Sequence, residues 1–408
     1  MKKSLLKKYA ELIVRSGVAL KKGQSVYLSA ALENEDFAAM VVEECYRAGA
    51  KKVHVEWSSA KTMKIAMKRG KKEDLAAVTP LEEGMMKWRT EELPAMIHLT
   101  SQDPDGMKGM DMAKMAYIRR VRYQAFHEQL EQSENKYQWC IAGVPGEAWA
   151  KKVFPGLSKK AAIEALWQAI LKTSRADDGN GIANWEAHDK DLKKRCAYLN
   201  SLKLKKLHYT SSNGTDFTVG LIPGVIFLGG GEENLKGAYY QPNIPSEECF
   251  TSPMKGEAEG IVYASKPLSY QGVLIKDFWV KFEGGKAVDV HAEQGEEALR
   301  SILTLDEGSA YLGECALVPY DSPINNTGLL FYNTLFDENA ACHLALGRGF
   351  TNLYPNYEKY TEEEIHSFGI NKSMSHVDFM IGSKDLSIVG TTEDGKEVQI
   401  FQDGNWAF

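Results

Sequence analysis

The hydrophobic pattern of this 408-residue chain changes its period once, near residue 180, and that change limits the fold to two differently built parts. Before it, strand-like and helix-like stretches alternate. "QSVYLSA", "KKVHVEW", "AMIHLTS" and "YQWCIAGVP" read as strands. "LLKKYAELIVRSG", "EDFAAMVVEECYRAGA", a lysine- and methionine-rich region and "MAKMAYIRRVRYQAFHEQLEQ" carry apolar residues at helical spacing. Gly17 and Gly49 stand where the first two helices should stop. Repeated strand–helix units predict a parallel sheet flanked by helices. Two further helices, "KKAAIEALWQAILK" and "ANWEAHDKDLKKRCAYLNSL", flank the loop-like "TSRADDGNGI". After it, "KLHYTSSNGTDFTVGL", "VIFLGGGEENLKG", "DFWVKFEGGKAVDVHAE" and "DLSIVGTTEDGKEVQIF" read as strand–turn–strand units, the first marked by Asn213-Gly214. The expected fold is therefore α/β: an N-terminal parallel-sheet domain over residues 1–180, then a mainly antiparallel β, α+β domain over 181–408. A chain of this length exceeds one ordinary core, which agrees with two domains.

Several function classes are excluded on composition. Net charge is −6, and the Lys and Arg residues fall in short dispersed groups such as "KRGKKEDL", so nucleic acid is not an expected partner. No apolar run approaches the ~20 residues of a membrane helix, and the start lacks the apolar core of a signal peptide. Cys45, Cys140, Cys196, Cys249, Cys315 and Cys342 show no C-x-x-C spacing, which predicts reduced thiols in a cytoplasmic protein. The first half has no glycine-rich phosphate loop after any strand and reads as a scaffold or substrate-shaping domain.

Chemistry is concentrated in the second half. "NIPSEECFTSP", "YLGECALVPY", "DENAACHLALG" and "MSHVDFMIG" place acids and histidines in apolar contexts without Lys or Arg inside the segment. A buried carboxylate costs several kcal/mol unless it is paired or binds a cation. If "SHVDFMIG" is a strand, His376 and Asp378 share a face, with Val377 and Phe379 opposite. In "GECALV" the same alternation separates Glu314 and Ala316 from Cys315 and Leu317. In "SEECF" only one of Glu247 and Glu248 can face a site. "NAACHLALG" reads as a helix, so Glu338, five residues before His343, joins it only from a first turn or preceding loop. Four carboxylates and two histidines exceed the needs of one catalytic zinc and suit two divalent ions sharing a carboxylate. Cys249, Cys315 and Cys342 adjoin these positions; strand alternation turns Cys249 and Cys315 away from Glu248 and Glu314, and all three read as small apolar residues.

The four segments, in this order, resemble the signature segments of the thermophilic-type two-metal aminopeptidases, the group of AmpS, AmpT and PepS. "NWEAHDKDLKKRCAYLN" and "DGKEVQIFQDGNWAF" extend the resemblance over nearly the whole chain. It implies a cytoplasmic, homodimeric exopeptidase that takes amino acids from peptide N-termini using two divalent ions (Zn, Co, Mn or Mg). Carried over, the metal ligands are Glu248, Glu314, His343, His376 and Asp378, Glu338 is a further metal ligand or a catalytic acid–base group, and Glu338 or Glu314 is the catalytic proton carrier. One position departs from the family pattern. Seven residues after His343, where the family usually has a tyrosine, stands Phe350, which cannot donate to an oxyanion. Tyr354 and Tyr357 are the nearby phenols that could substitute. Two other readings stand beside the peptidase: a two-metal phosphoesterase, for which the motifs offer only Arg348, and a weakly active peptide- or metal-binding protein, motivated by Phe350.

Overall fold

A computed structural model describes residues 1–408 and divides them into two compact units. The first comprises residues 1–186 and 231–244, and the second 187–230 and 245–408.

The first unit is built on a parallel sheet. Its strands are β1 (Ser25–Ala31), β2 (Lys52–Ser58), β3 (Ala95–Thr100) and β4 (Trp139–Gly143), arranged in the order β2-β1-β3-β4. The pair Asn243–Ile244 adds beside β4, also parallel, so the excursion 231–244 completes this sheet from a distance in sequence. Central β1 is buried on both faces at Ser25, Val26, Tyr27 and Leu28, as covering helices require. The helix Glu35–Arg47 buries Phe37, Ala38, Val41 and Cys45, one stripe at helical spacing, and opens with Glu35 and Asp36 at the positive end of its dipole. The helix Lys3–Leu12 continues through a π turn to Gly17. A Cβ on Gly17 would lie 2.8 Å from Cys140 Sγ, so glycine here lets the turn approach β4. No helix is long and apolar enough to cross a membrane.

The second unit holds two antiparallel sheets. The larger has nine strands, among them the hairpin Leu204–Thr210/Asp216–Leu221 around Asn213-Gly214. A second hairpin, Val273–Glu283/Lys286–Gln294, turns at Gly284-Gly285, both with positive φ, which suits the twist of a two-residue connection. The smaller sheet has four strands: β5 (Cys249–Thr251), β6 (Leu312–Leu317), β7 (His343–Gly347) and β8 (His376–Met380), in that spatial order.

Two sequence expectations are corrected. "NAACHLALG" is not a helix: Glu338–Ala340 form one 3-10 turn, and His343–Gly347 are strand β7. All five strand residues are buried, so their apolar run carries no period that separates helix from strand. "VIFLGGGEENLKG" is not a strand hairpin of its own: Leu228 makes an isolated antiparallel bridge with Phe250, and Glu232–Glu233 pairs with Tyr239–Tyr240. Its glycines serve close approach instead. A Cβ on Gly229 would lie 2.3 Å from the carbonyl oxygen of Glu248.

One face of the small sheet belongs to the core. Cys249, Cys315, Leu317, Leu344, Leu346, Val377 and Phe379 join Tyr209, Phe217, Phe278 and Val280 of the large sheet in one buried cluster. Phe278 and Phe379 bring their rings to 6.0 Å across the two sheets. Leu344→Ala is expected to cost about 2–5 kcal/mol, because its neighbours cannot fully collapse onto the space. The shift of the denaturant midpoint measures it.

Candidate metal centre

The other face of the small sheet carries the acids and imidazoles. Register pairs Glu314 with Ala345 and Ala345 with Asp378, His343 with Ala316 and Met380, and Gly347 with His376. Phe250 pairs with Ala316, which puts Glu248, two residues earlier, on the same side. Ala316, Ala345 and Gly347 leave the middle of this face low, so longer side chains around them can converge. The register of β6 shifts between Leu312 and Glu314, a bulge at Gly313. Without it Leu312 and Glu314 would share a face; with it Leu312 joins the core and Glu314 turns to the site.

Ligand atoms gather in two triads, Glu248–Glu314–His343 and Glu314–His376–Asp378, the atoms of each within 4.8 Å of one another. His343 Nε2 lies 3.3 Å from Glu248 Oε2. His376 Nε2 lies 3.0 Å from Glu314 Oε2 and 3.1 Å from Asp378 Oδ1. Glu314 belongs to both triads. Each imidazole turns its Nδ1 to a backbone carbonyl: His343 to Ala341 at 3.1 Å, His376 to Arg348 at 2.8 Å. That bond fixes the tautomer and presents Nε2 to the carboxylates, the usual arrangement of metal-binding histidines.

Electrostatics agree with a cation site. Burial alone would lower the His343 pKa, but the hydrogen bond and charge of Glu248 override it and raise it to about 10. Burial also opposes charge on His376, yet Asp378 and Glu314 hold its pKa well above the ordinary value. Glu314 is raised, chiefly by burial and despite His376. Asp378 is lowered: burial pushes it up, and the charge and hydrogen bond of His376 more than offset this. Half-buried Glu338 is pushed well above the carboxylate range by desolvation, then by Asp378 and Glu248. So many carboxylates packed around two imidazoles fit divalent ions as donors of further positive charge.

The structure sorts the sequence candidates. Glu248, Glu314, His343, His376 and Asp378 come together in the triads; Glu338 lies beside them but in neither. Glu247 turns away, its carboxylate 3.7 Å from His188 Nε2. Asp337 faces inward, accepting the N–H groups of Phe331 (2.7 Å) and Asn333 (3.1 Å); burial raises its pKa to about 7. Phe350 lies with its ring 5.1 Å from that of His376 and 5.3 Å from Phe250, while its N–H donates to Ser252 Oγ. Tyr354 and Tyr357 pack on a satellite cluster of Ile222, Ile365 and Ile370, with Tyr354 stacked on Phe368 at 4.7 Å. Sequence reasoning gave Asn339 no role, and it missed the Arg348 carbonyl because a main-chain acceptor leaves no residue signature.

A sheet face with two carboxylate–histidine triads, backed by a core, has the donor set of a divalent-metal protein. The chain belongs to the thermophilic metalloprotease (M29) family, whose model matches residues 2–406. It is 42% identical over 412 residues to aminopeptidase AmpS of Bacillus subtilis (strain 168), covering 99% of this chain and 98% of that one. It is 39% identical over 412 residues to aminopeptidase T of Thermus aquaticus, covering 98% of each. A solved structure described as wild-type AmpT from Thermus thermophilus matches with a TM-score of 0.90 at 37% identity, covering all of both chains. The resemblance drawn from the four segments and the α/β-plus-antiparallel fold both hold. The phosphoesterase reading finds no support, since the relatives are named aminopeptidases.

Proposed function

We propose that the chain is a metal-dependent aminopeptidase that removes amino acids from peptide N-termini. The observation that carries this reading is the pair of triads sharing Glu314. Glu248 and His343 would hold one divalent ion, His376 and Asp378 the other, with Glu314 between them. A pair of such ions supplies Lewis acidity toward water and toward a peptide carbonyl. Zn, Co, Mn and Mg all accept this donor set.

The chain's own residues account for the rest. Glu338 is the proton carrier rather than a ligand: its Oε1 faces the Asn339 amide at 3.4 Å, leaving Oε2 to take a proton from water and pass it to the leaving amine. Negative charge left over after metal binding anchors the substrate's α-ammonium, which makes the cleavage exo. Every proposed ligand lies in the second unit, and we assign substrate selectivity to the first. Six buried free cysteines support a reducing, cytoplasmic setting, and the family resemblance supports a homodimer. Hydrolysis of aminoacyl anilides by chelator-stripped protein, with each metal added back, tests the reading. Inactivity toward every N-terminal residue at two bound equivalents would leave the peptide- or metal-binding protein that Phe350 suggests.

Phe350 yields a separate expectation. An oxyanion donor is worth about 10²–10³ in turnover where nothing else polarises the carbonyl, and less where metal already does. Phe350→Tyr is therefore expected to raise kcat by less than that at unchanged metal content. A kcat at or below wild type, with both proteins fully loaded, counts against a missing donor at this position.

A further inference from the structure

Asn339 lies between the two segments on which the proposed chemistry depends, and it is fully buried. Its Oδ1 accepts the main-chain N–H of Glu247 at 2.7 Å, in the segment that presents Glu248. Its Nδ2 donates to the Leu335 carbonyl at 3.0 Å and approaches Glu338 Oε1 at 3.4 Å. Its own carbonyl accepts from Ser322 Oγ at 3.1 Å. The side-chain amide is thus used at both ends, its oxygen on the ligand segment and its nitrogen on the acid beside the triads. Every partner belongs to the second unit.

We propose that Asn339 is a positioning residue that sets Glu248 through the Glu247 N–H and orients Glu338 through its amide nitrogen, a role that rests on the aminopeptidase reading above. A side-chain amide suits the task because it offers an acceptor and a donor from one planar group. Alanine offers neither. Aspartate keeps an oxygen for the Glu247 N–H but puts a second oxygen where the nitrogen faces Glu338. The two substitutions therefore separate the two functions.

The test is zinc titration of chelator-stripped protein, with steady-state kinetics on an aminoacyl anilide at full zinc load and thermal unfolding of the stripped form. Asn339→Ala is expected to weaken zinc binding about 10–100-fold, the usual cost of losing a group that orients a ligand. It also lowers kcat while KM stays near wild type. Asn339→Asp is expected to bind zinc no more weakly than wild type and still to lose kcat, because Glu338 now meets an oxygen. A purely structural Asn339 would lower the melting temperature in both variants and move neither zinc affinity nor kcat of the folded protein; that result overturns the proposal. Wild-type kcat in Asn339→Asp overturns it as well. If Asn339→Ala does not fold, the near-isosteric Asn339→Asp carries the decision through kcat. If wild type cleaves no anilide, the aminopeptidase reading has failed. The zinc arm then judges Asn339 alone: weakening in alanine and none in aspartate upholds the setting of Glu248, and any other pattern overturns it.

Discussion

Glu338→Gln is expected to leave the protein holding its full metal complement while kcat falls by about 10²–10⁴, the range that a positioned general acid–base contributes. Glu338 lies outside both triads, so the proposed ligand set is kept whole. Glutamine has the same length and still offers an oxygen to the Asn339 amide, so local geometry survives. Only proton exchange at the carboxyl is lost. KM should change little if, as proposed, the remaining acids anchor the substrate ammonium. Metal analysis after desalting, beside kcat and KM, separates the alternatives. A variant that loses metal shows that Glu338 is a ligand, and one with wild-type kcat shows that the proton travels elsewhere.

Glu314→Ala is expected to have the largest effect of any single substitution in the site. Glu314 is the one side chain common to both triads, so its removal opens both at once. Each pocket keeps two protein donors, fewer than the three that catalytic zinc sites usually take from the protein. Bound metal after desalting should fall from two equivalents toward zero, and hydrolysis to background. His343→Ala, by comparison, touches one triad and should leave one ion. Retention of a full equivalent by Glu314→Ala would remove Glu314 from its shared position. Circular dichroism should show the fold retained, since the opposite face of β6 stays buried in the core.

Much of this site was legible from residue types and alternation. His376 and Asp378 share a face because β8 is a strand, and Glu314 stands opposite Cys315 and Leu317, as the period of two required. His343 was placed on the wrong element because a strand buried on both faces shows no alternation. Composition could not choose between Glu247 and Glu248; the choice depends on pairing with β6, which no local pattern encodes. Asn339 was visible in the motif, but its role depends on a partner 92 positions away. In the fold, local patterns gave the sheets and the hairpins other than "VIFLGGGEENLKG". The pairing of Asn243–Ile244 with β4 escaped them, because a two-residue strand has no period.

The bulge at Gly313 acts as a phase shifter. Side chains along a strand obey a two-stroke rhythm, and one extra residue advances it by half a cycle for everything downstream. Upstream of Gly313 the strand keeps time with the core; downstream it keeps time with the metal centre. An acid was thereby brought to the chemistry by adding a beat rather than by exchanging core residues. The same Cα lies under the strap that steadies His376: a Cβ on Gly313 would stand 2.1 Å from the Arg348 carbonyl oxygen and 2.5 Å from that of Gly347. Two proposed ligands 62 positions apart in sequence therefore share one point of adjustment, and a methyl group there would detune both.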